Sequence, residues 1–274
     1  MWPVIFSLGN FEIRTLTVFT FLGLFSAGFV FWKRGREEHY SEMDLFDGFL
    51  LSLVTGFFFG RLTYIFFNIE QLGINIIKWL DIFSYPGVHT VIMFVIAGIY
   101  LYRFSLKKNW DVFEVLDFSV GAFSISQFFL WFGLFLDGSS FGIKTDLPFG
   151  MIFPGVFEKH HPIQLYYMIF YLALFIYLSK VEYNYRTFSW YRFGKKTAQT
   201  GFLTSMFFIF NGLFSLIINF FSRPVMVING VRLDFFFSIA GLLFGLFLLG
   251  LRSGRISTKF FGKRNKRLLE YFKV

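Results

Sequence analysis

The sequence predicts an all-α polytopic integral membrane protein. It has seven transmembrane helices, the N-terminus outside, the C-terminus in the cytoplasm and a small external cap. Three observations carry this. Hydrophobic residues make up 55% of the 274, charged residues only 16%, and mean hydropathy is +0.60; a soluble domain carries about 25% charged residues. The apolar residues cluster in seven runs of the order a bilayer crossing takes, roughly 20 residues. The basic residues gather in alternate connections between those runs, the pattern that sets membrane orientation.

The runs are approximately Leu16–Trp32, Asp47–Phe67, Gly87–Phe104, Phe118–Leu136, Gln164–Ser179, Gly201–Phe221 and Phe235–Leu251. Of the 26 Lys and Arg, 19 lie in one alternating set of connections and 6 in the other, which puts the richer set in the cytoplasm. Arg61 belongs to neither, since it lies inside the second run. This distribution, rather than the net charge of +9, decides the partner: a lipid bilayer and not nucleic acid. No basic segment precedes the first run, so no cleavable signal peptide is expected. The absence of Cys excludes disulfides and thiolate sites. The histidines lack metal-ligand spacing.

Two segments do not span. In "QLGINIIKWLDIF", Leu72, Ile76, Trp79, Leu80 and Phe83 recur at helical spacing, predicting one short amphipathic helix in the outer interface. The loop Asp137–Pro162, rich in Gly, Ser and Pro, is too long for a minimal connector and predicts the cap. The basic tail, 252–274, reads either as a helix on an anionic leaflet or as a topology determinant. No inverted repeat of the transporter kind is seen.

The candidate polar residues sit near the outer ends of the runs. Arg61 lies in an apolar helix, where Arg costs about 2.5–3.5 kcal/mol at mid-membrane. It is either a fork for a lipid phosphate or the partner of a carboxylate such as Asp137 or Glu158. His89, at the start of the third run, is either a base or phosphate ligand or a structural group. In "FEKHHPIQLYY", Pro162 suits a first helical turn and puts His161 near the N-cap, with Gln164 and Tyr166 at headgroup level. His161 is either a base or an interface anchor. Asn211, Asn219 and Gln127 are either interhelical glue or cavity lining.

"PVIFSLGNFEI", "GRLTY", "LPFGMIFPG" and "HPIQLYY", in that order and spacing, resemble the bacterial prolipoprotein diacylglyceryl transferases. The resemblance implies seven helices, an external cap and residence in the bacterial plasma membrane. It implies transfer of diacylglyceryl from phosphatidylglycerol to the thiol of a lipobox cysteine in an exported lipoprotein precursor, with no cofactor. With it, the site takes His161 or His89 as proton acceptor and Arg61, Tyr64, Gln164, Tyr166, Asp137 and Asn219 around the phospholipid.

The sequence also departs from the family pattern. Against G-R-x-G-N-F-x-N-x-E-x-x-G it reads "LWFGLFLDGSSFG": Trp131 stands for the arginine, Leu134 and Asp137 for the asparagines and Ser139 for the glutamate. Thr63 stands for the second glycine of G-R-x-G-Y, and Tyr167 for the glutamate of H-P-x-Q-L-Y-E. Pro86, Leu16, Ser215 and Asn219 stand for the family's histidine, tyrosine, arginine and glutamate. The alternative is therefore a catalytically silent homologue that binds phospholipid or lipoprotein precursor.

Overall fold

The computed structural model describes residues 1–8, 11–81, 85, 87–185, 200–224, 227–228 and 230–253. An antiparallel hairpin, β1 (Val4–Leu8) with β2 (Phe11–Arg14), leads into α1 (Thr15–Glu37). Then come α2 (Glu42–Phe67), two short turns, α3 (Ile69–Leu72) and α4 (Ile76–Leu80), and α5 (Thr90–Lys108). After α6 (Val112–Asp137) a loop carries the hairpin β3 (Met151–Ile152) and β4 (Lys159–His160). The chain continues through α7 (Ile163–Tyr185), α8 (Phe202–Ile218), the hairpin β5 (Val227–Ile228) and β6 (Val231–Arg232), and α9 (Leu233–Arg252).

Among the described residues, six helices are long and apolar enough to cross a membrane: α1, α2, α5, α6, α7 and α9. The seventh predicted span is α8, with 17 residues. At 1.5 Å per residue it is about 26 Å long, against a hydrocarbon core of about 30 Å. Its ends explain the length. It begins after Gly201, in the left-handed region at φ 91°, and gives way to a turn over 219–222. The all-helical expectation gains three small hairpins. The single amphipathic helix is corrected to α3 and α4, because Gly73 at φ 65° ends the first and the Asn75 side chain caps the second by accepting from Ile77 N. No residue of α4 is buried, which suits an element lying on an apolar interface. Phe83 and the tail from 254 onward lie outside the described residues.

The chain divides into two compact units, Phe31–Leu116 and Met1–Val30 with Asp117–Val274. In the first, α2 lies against α5 so closely that a Cβ on Gly56 would sit 2.5 Å from the Met93 carbonyl oxygen. Tyr40 donates to Glu114 and packs its ring on Trp110, centroids 4.6 Å apart. Burial and the Glu114 carboxylate push the Tyr40 phenol well above its ordinary range. In the second unit, Val120, Tyr171, Leu174, Leu178, Leu203 and Phe207 form a buried core. Here α8 and α9 meet through small residues: a Cβ on Gly212 would lie 2.7 Å from Leu242 N. Such close backbone approach drives helix association where lipid offers no hydrophobic contrast. The start of α8 is held by another helix. Asp117 of α6 accepts from Gly201 N at 2.8 Å, Thr204 N at 2.8 Å and Thr204 Oγ1 at 2.6 Å.

Candidate functional site

In the unit Phe31–Leu116, the polar candidates are Arg61, Tyr64 and His89. Arg61 is buried in α2. Its Nε donates to the Trp79 carbonyl at 3.1 Å, and Nη1 to those of Tyr85 at 2.7 Å and Gly87 at 2.8 Å. Its Nη2 points to the carbonyls of Lys78 and Asp81, both at 3.4 Å. A guanidinium has five N–H donors, and five backbone carbonyls face them. Arg61 thus pins α4, Tyr85 and Gly87 to α2. The carboxylate partner, the alternative to a lipid phosphate, is not among these contacts, and Glu158 pairs with Lys144, which lowers the Glu158 carboxyl below its usual range. The Tyr64 ring lies against Gly87, whose absent Cβ would be 2.2 Å from Tyr64 Cζ, and Arg61 Cζ is 5.5 Å from the ring centroid. His89 is the N-cap of α5. Its Nδ1 accepts from Ile92 N at 3.5 Å and its ring packs 6.1 Å from Phe67. An imidazole whose Nδ1 accepts carries its proton on Nε2 when neutral. Pro86 lies outside the described residues.

In the other unit the adjacent histidines have separate tasks. His160, in β4, is buried, bonds Gly142 O through Nδ1 at 2.9 Å, and packs on Phe141, which stacks on Phe153. His161 also is buried, with its Nδ1 3.4 Å from Tyr166 Oη and its ring 4.9 Å from that of Phe221. Burial without a charged partner pushes the His161 imidazole below its ordinary value. The predicted helix start shifts by one residue. Tyr166 N bonds the Pro162 carbonyl, so Pro162 is the N-cap and the His161 ring is not engaged in capping. A crossing holds His161 in place: Gly142 N donates to His161 O, His161 N to Ile143 O, and Ile143 N to Phe221 O. Only glycine fits at 142, because a Cβ there would lie 2.4 Å from the Phe221 oxygen and 2.9 Å from His161 Cβ.

Gln164 is fully buried. Its Nε2 donates to Ser139 O at 2.6 Å, and its Oε1 has no partner among the described residues. Asp137 is the half-buried last residue of α6. Asn219 acts across helices, its amide donating to Ser238 Oγ at 3.0 Å, and Asn211 likewise donates to Tyr171 Oη at 2.9 Å. Trp131 and Tyr167 stack face to face, centroids 4.1 Å apart at 11°. Two positions where the family pattern carries an arginine and a glutamate are therefore filled by a matched aromatic pair.

The group that sequence reasoning missed is at the start of α9. Arg232 donates from Nη2 to the carbonyls of Asn219 at 2.9 Å and Ser222 at 3.2 Å, with Asp234 Oδ2 3.8 Å away. Its Nε is buried and has no acceptor among the described residues. In the sequence Arg232 counted only as a loop charge. The one further signal was its position two residues before Asp234 at the head of an apolar run.

A profile of the prolipoprotein diacylglyceryl transferase family matches residues 3–251. The chain belongs to this family. Similar proteins include the phosphatidylglycerol–prolipoprotein diacylglyceryl transferase of Clostridium tetani (strain Massachusetts / E88), 29% identical over 260 residues, covering 92% of this chain and 98% of the relative. That of Geobacter sulfurreducens is 30% identical over 259 residues, covering 91% and 92%. That of Wigglesworthia glossinidia brevipalpis is 28% identical over 283 residues, covering 90% and 94%. The resemblance of the four motifs, beginning at Pro3, agrees with the matched range.

Proposed function

We propose that this family member transfers the diacylglyceryl group of phosphatidylglycerol to the lipobox cysteine thiol of an exported precursor, in the bacterial plasma membrane. One observation carries the reading: the family match runs from residue 3 to 251, and the relatives that align over nearly their whole length bear that activity in their names. In this reading α8 is the seventh span, extended by its 219–222 turn, the N-terminus is outside, and the 137–162 loop is the external cap.

The chemistry requires a thiolate from a thiol of pKa near 8.5. His161 takes the thiol proton: buried, held off its ordinary pKa towards the neutral form, and, among the described residues, bonded by its side chain to Tyr166 alone. The thiolate then attacks the diacylglycerol carbon that is esterified to phosphate. The C–S bond forms, the C–O bond breaks, and the electron pair leaves on the phosphate oxygen of glycerol phosphate. Cationic N–H donors in a water-poor site stabilise that charge. His89 serves the fold as a helix cap, and Arg61 with Tyr64 serves it as a clamp.

The alternative, a silent homologue that binds lipid or precursor, is favoured by the Trp131–Tyr167 stack, which fills two signature positions with apolar surface. Purified protein incubated with labelled phosphatidylglycerol and a lipobox peptide decides between them. Label on the peptide above the protein-free control is expected. Its absence, with lipid still bound, selects the silent reading.

A further inference from the structure

In the unit that contains His161, two buried side-chain polar atoms have no partner among the described residues: the acceptor Gln164 Oε1 and the donor Arg232 Nε. The orientation of the Gln164 amide is set by chemistry. Only its NH2 can donate to Ser139 O, so the oxygen must point the other way. The two orphans flank one turn. His161, three residues before Gln164, packs on Phe221, and Arg232 Nη2 is bonded to the carbonyls of Asn219 and Ser222. Buried polar groups are nearly always bonded, and those that are not call for an explanation.

The pair differs from Arg61, Asn219, Asn211 and His160. Arg61 has a carbonyl for each N–H, Asn219 and Asn211 have partners across helices, and His160 is bonded to Gly142. α9 starts at Arg232, its N-cap residue, without a side-chain cap bond. Its first amides therefore add partial positive charge beside the guanidinium. Asp234 opposes an anion here, but at 3.8 Å it is beyond hydrogen-bond length from Arg232 Nη2.

We infer that Arg232 and Gln164 together read the donor's head group, Arg232 Nε–H donating to a phosphate oxygen and Gln164 Oε1 accepting from a glycerol hydroxyl. A missing acceptor on one side of the turn and a missing donor on the other match a phosphoglycerol, which carries both. Phosphocholine carries only the oxyanion and diacylglycerol has no phosphate. The assignment rests on the transferase reading for its location in a substrate site and adds the residues that select the lipid.

The test measures the affinity of purified protein for phosphatidylglycerol, phosphatidylcholine and diacylglycerol in micelles, with thermal unfolding as a check on folding. Arg232→Gln is expected to lower affinity for both phospholipids about 10–100-fold and to leave diacylglycerol unchanged. Gln164→Leu is expected to erase the preference for phosphatidylglycerol over phosphatidylcholine while diacylglycerol again holds. Asp234→Asn is expected to tighten both phospholipids, a direction that a purely structural Arg232–Asp234 contact would not give. Soluble glycerol 1-phosphate should displace phosphatidylglycerol from wild type where glycerol does not, separating head-group recognition from acyl-chain binding. Retention of the wild-type lipid preference in Gln164→Leu, or weaker phospholipid binding in Asp234→Asn, overturns the inference. If Arg232→Gln does not fold, those two variants decide. Wild type that shows the preference but transfers nothing to the peptide sinks the transferase reading alone.

Discussion

Arg61 commits its five N–H donors to the carbonyls of Lys78, Trp79, Asp81, Tyr85 and Gly87. A lysine there offers three donors on a point charge and cannot reproduce the planar fork. Arg61→Lys is therefore expected to speed amide hydrogen exchange over 73–81 and lower the thermal midpoint, with phosphatidylglycerol affinity kept within about twofold. Lost affinity with unchanged exchange would return Arg61 to the phosphate. His161 makes a prediction in pH. Its lowered pKa comes from burial, so the fold favours the neutral ring. The stability this contributes is present above the ordinary value of about 6.5 and is lost as pH falls through the lowered folded value. The acid limb of the transfer rate should accordingly lie below pH ~6.5. His161→Asn should keep the fold and lose about 10²–10⁴-fold in rate, and an unchanged rate would assign the proton to another group.

At the scale of elements, the sequence located helices well and their ends poorly. Hydropathy stops counting at Lys33, yet α1 runs on to Glu37 because a helix does not end where the hydrocarbon does. Gly73 and Asn75 broke a pattern whose apolar spacing ran straight across them. The small hairpins are short ladders of backbone bonds with little periodicity to read. The Asp117 cap of α8 was illegible for a different reason, since its partners lie over 80 residues away. It makes a clean prediction. Asp117 is buried and accepts three hydrogen bonds at the positive end of α8. Asp117→Ala strands those donors and should cost about 3 kcal/mol or more, read as a lower unfolding midpoint in detergent. Loss of less than ~1 kcal/mol would mean that water or another group replaces the carboxylate.

For the molecule as a whole, the motifs were enough for the family and too coarse for the site. "HPIQLYY" singled out a segment, but which of His160 and His161 has its Nδ1 bonded to a backbone carbonyl depends on Gly142, 18 residues before His160. Arg61 attracted attention because a charge in an apolar run is conspicuous, while Arg232 at the end of one is not. The orientation proposed from charge is open to a direct test. Lys33, Arg34 and Arg36 at the end of α1 and Lys107 and Lys108 at the end of α5 should face the cytoplasm. The 137–162 loop, Arg223 and Arg232 should then face outward. The chain has no native Cys, so single cysteines can be introduced without background. A membrane-impermeant thiol reagent applied to intact cells should label Ser140→Cys, an exposed position in the loop after α6, and leave Glu37→Cys unlabelled until the membrane is opened. Both His161 and Arg232 lie at helix starts on the proposed outer side, where phosphatidylglycerol of the outer leaflet and an exported thiol can both arrive. Labelling of Glu37→Cys in intact cells, with Ser140→Cys protected, would invert the molecule. It would put that site on the face an exported precursor has already left, and the proposed reaction would have no acceptor.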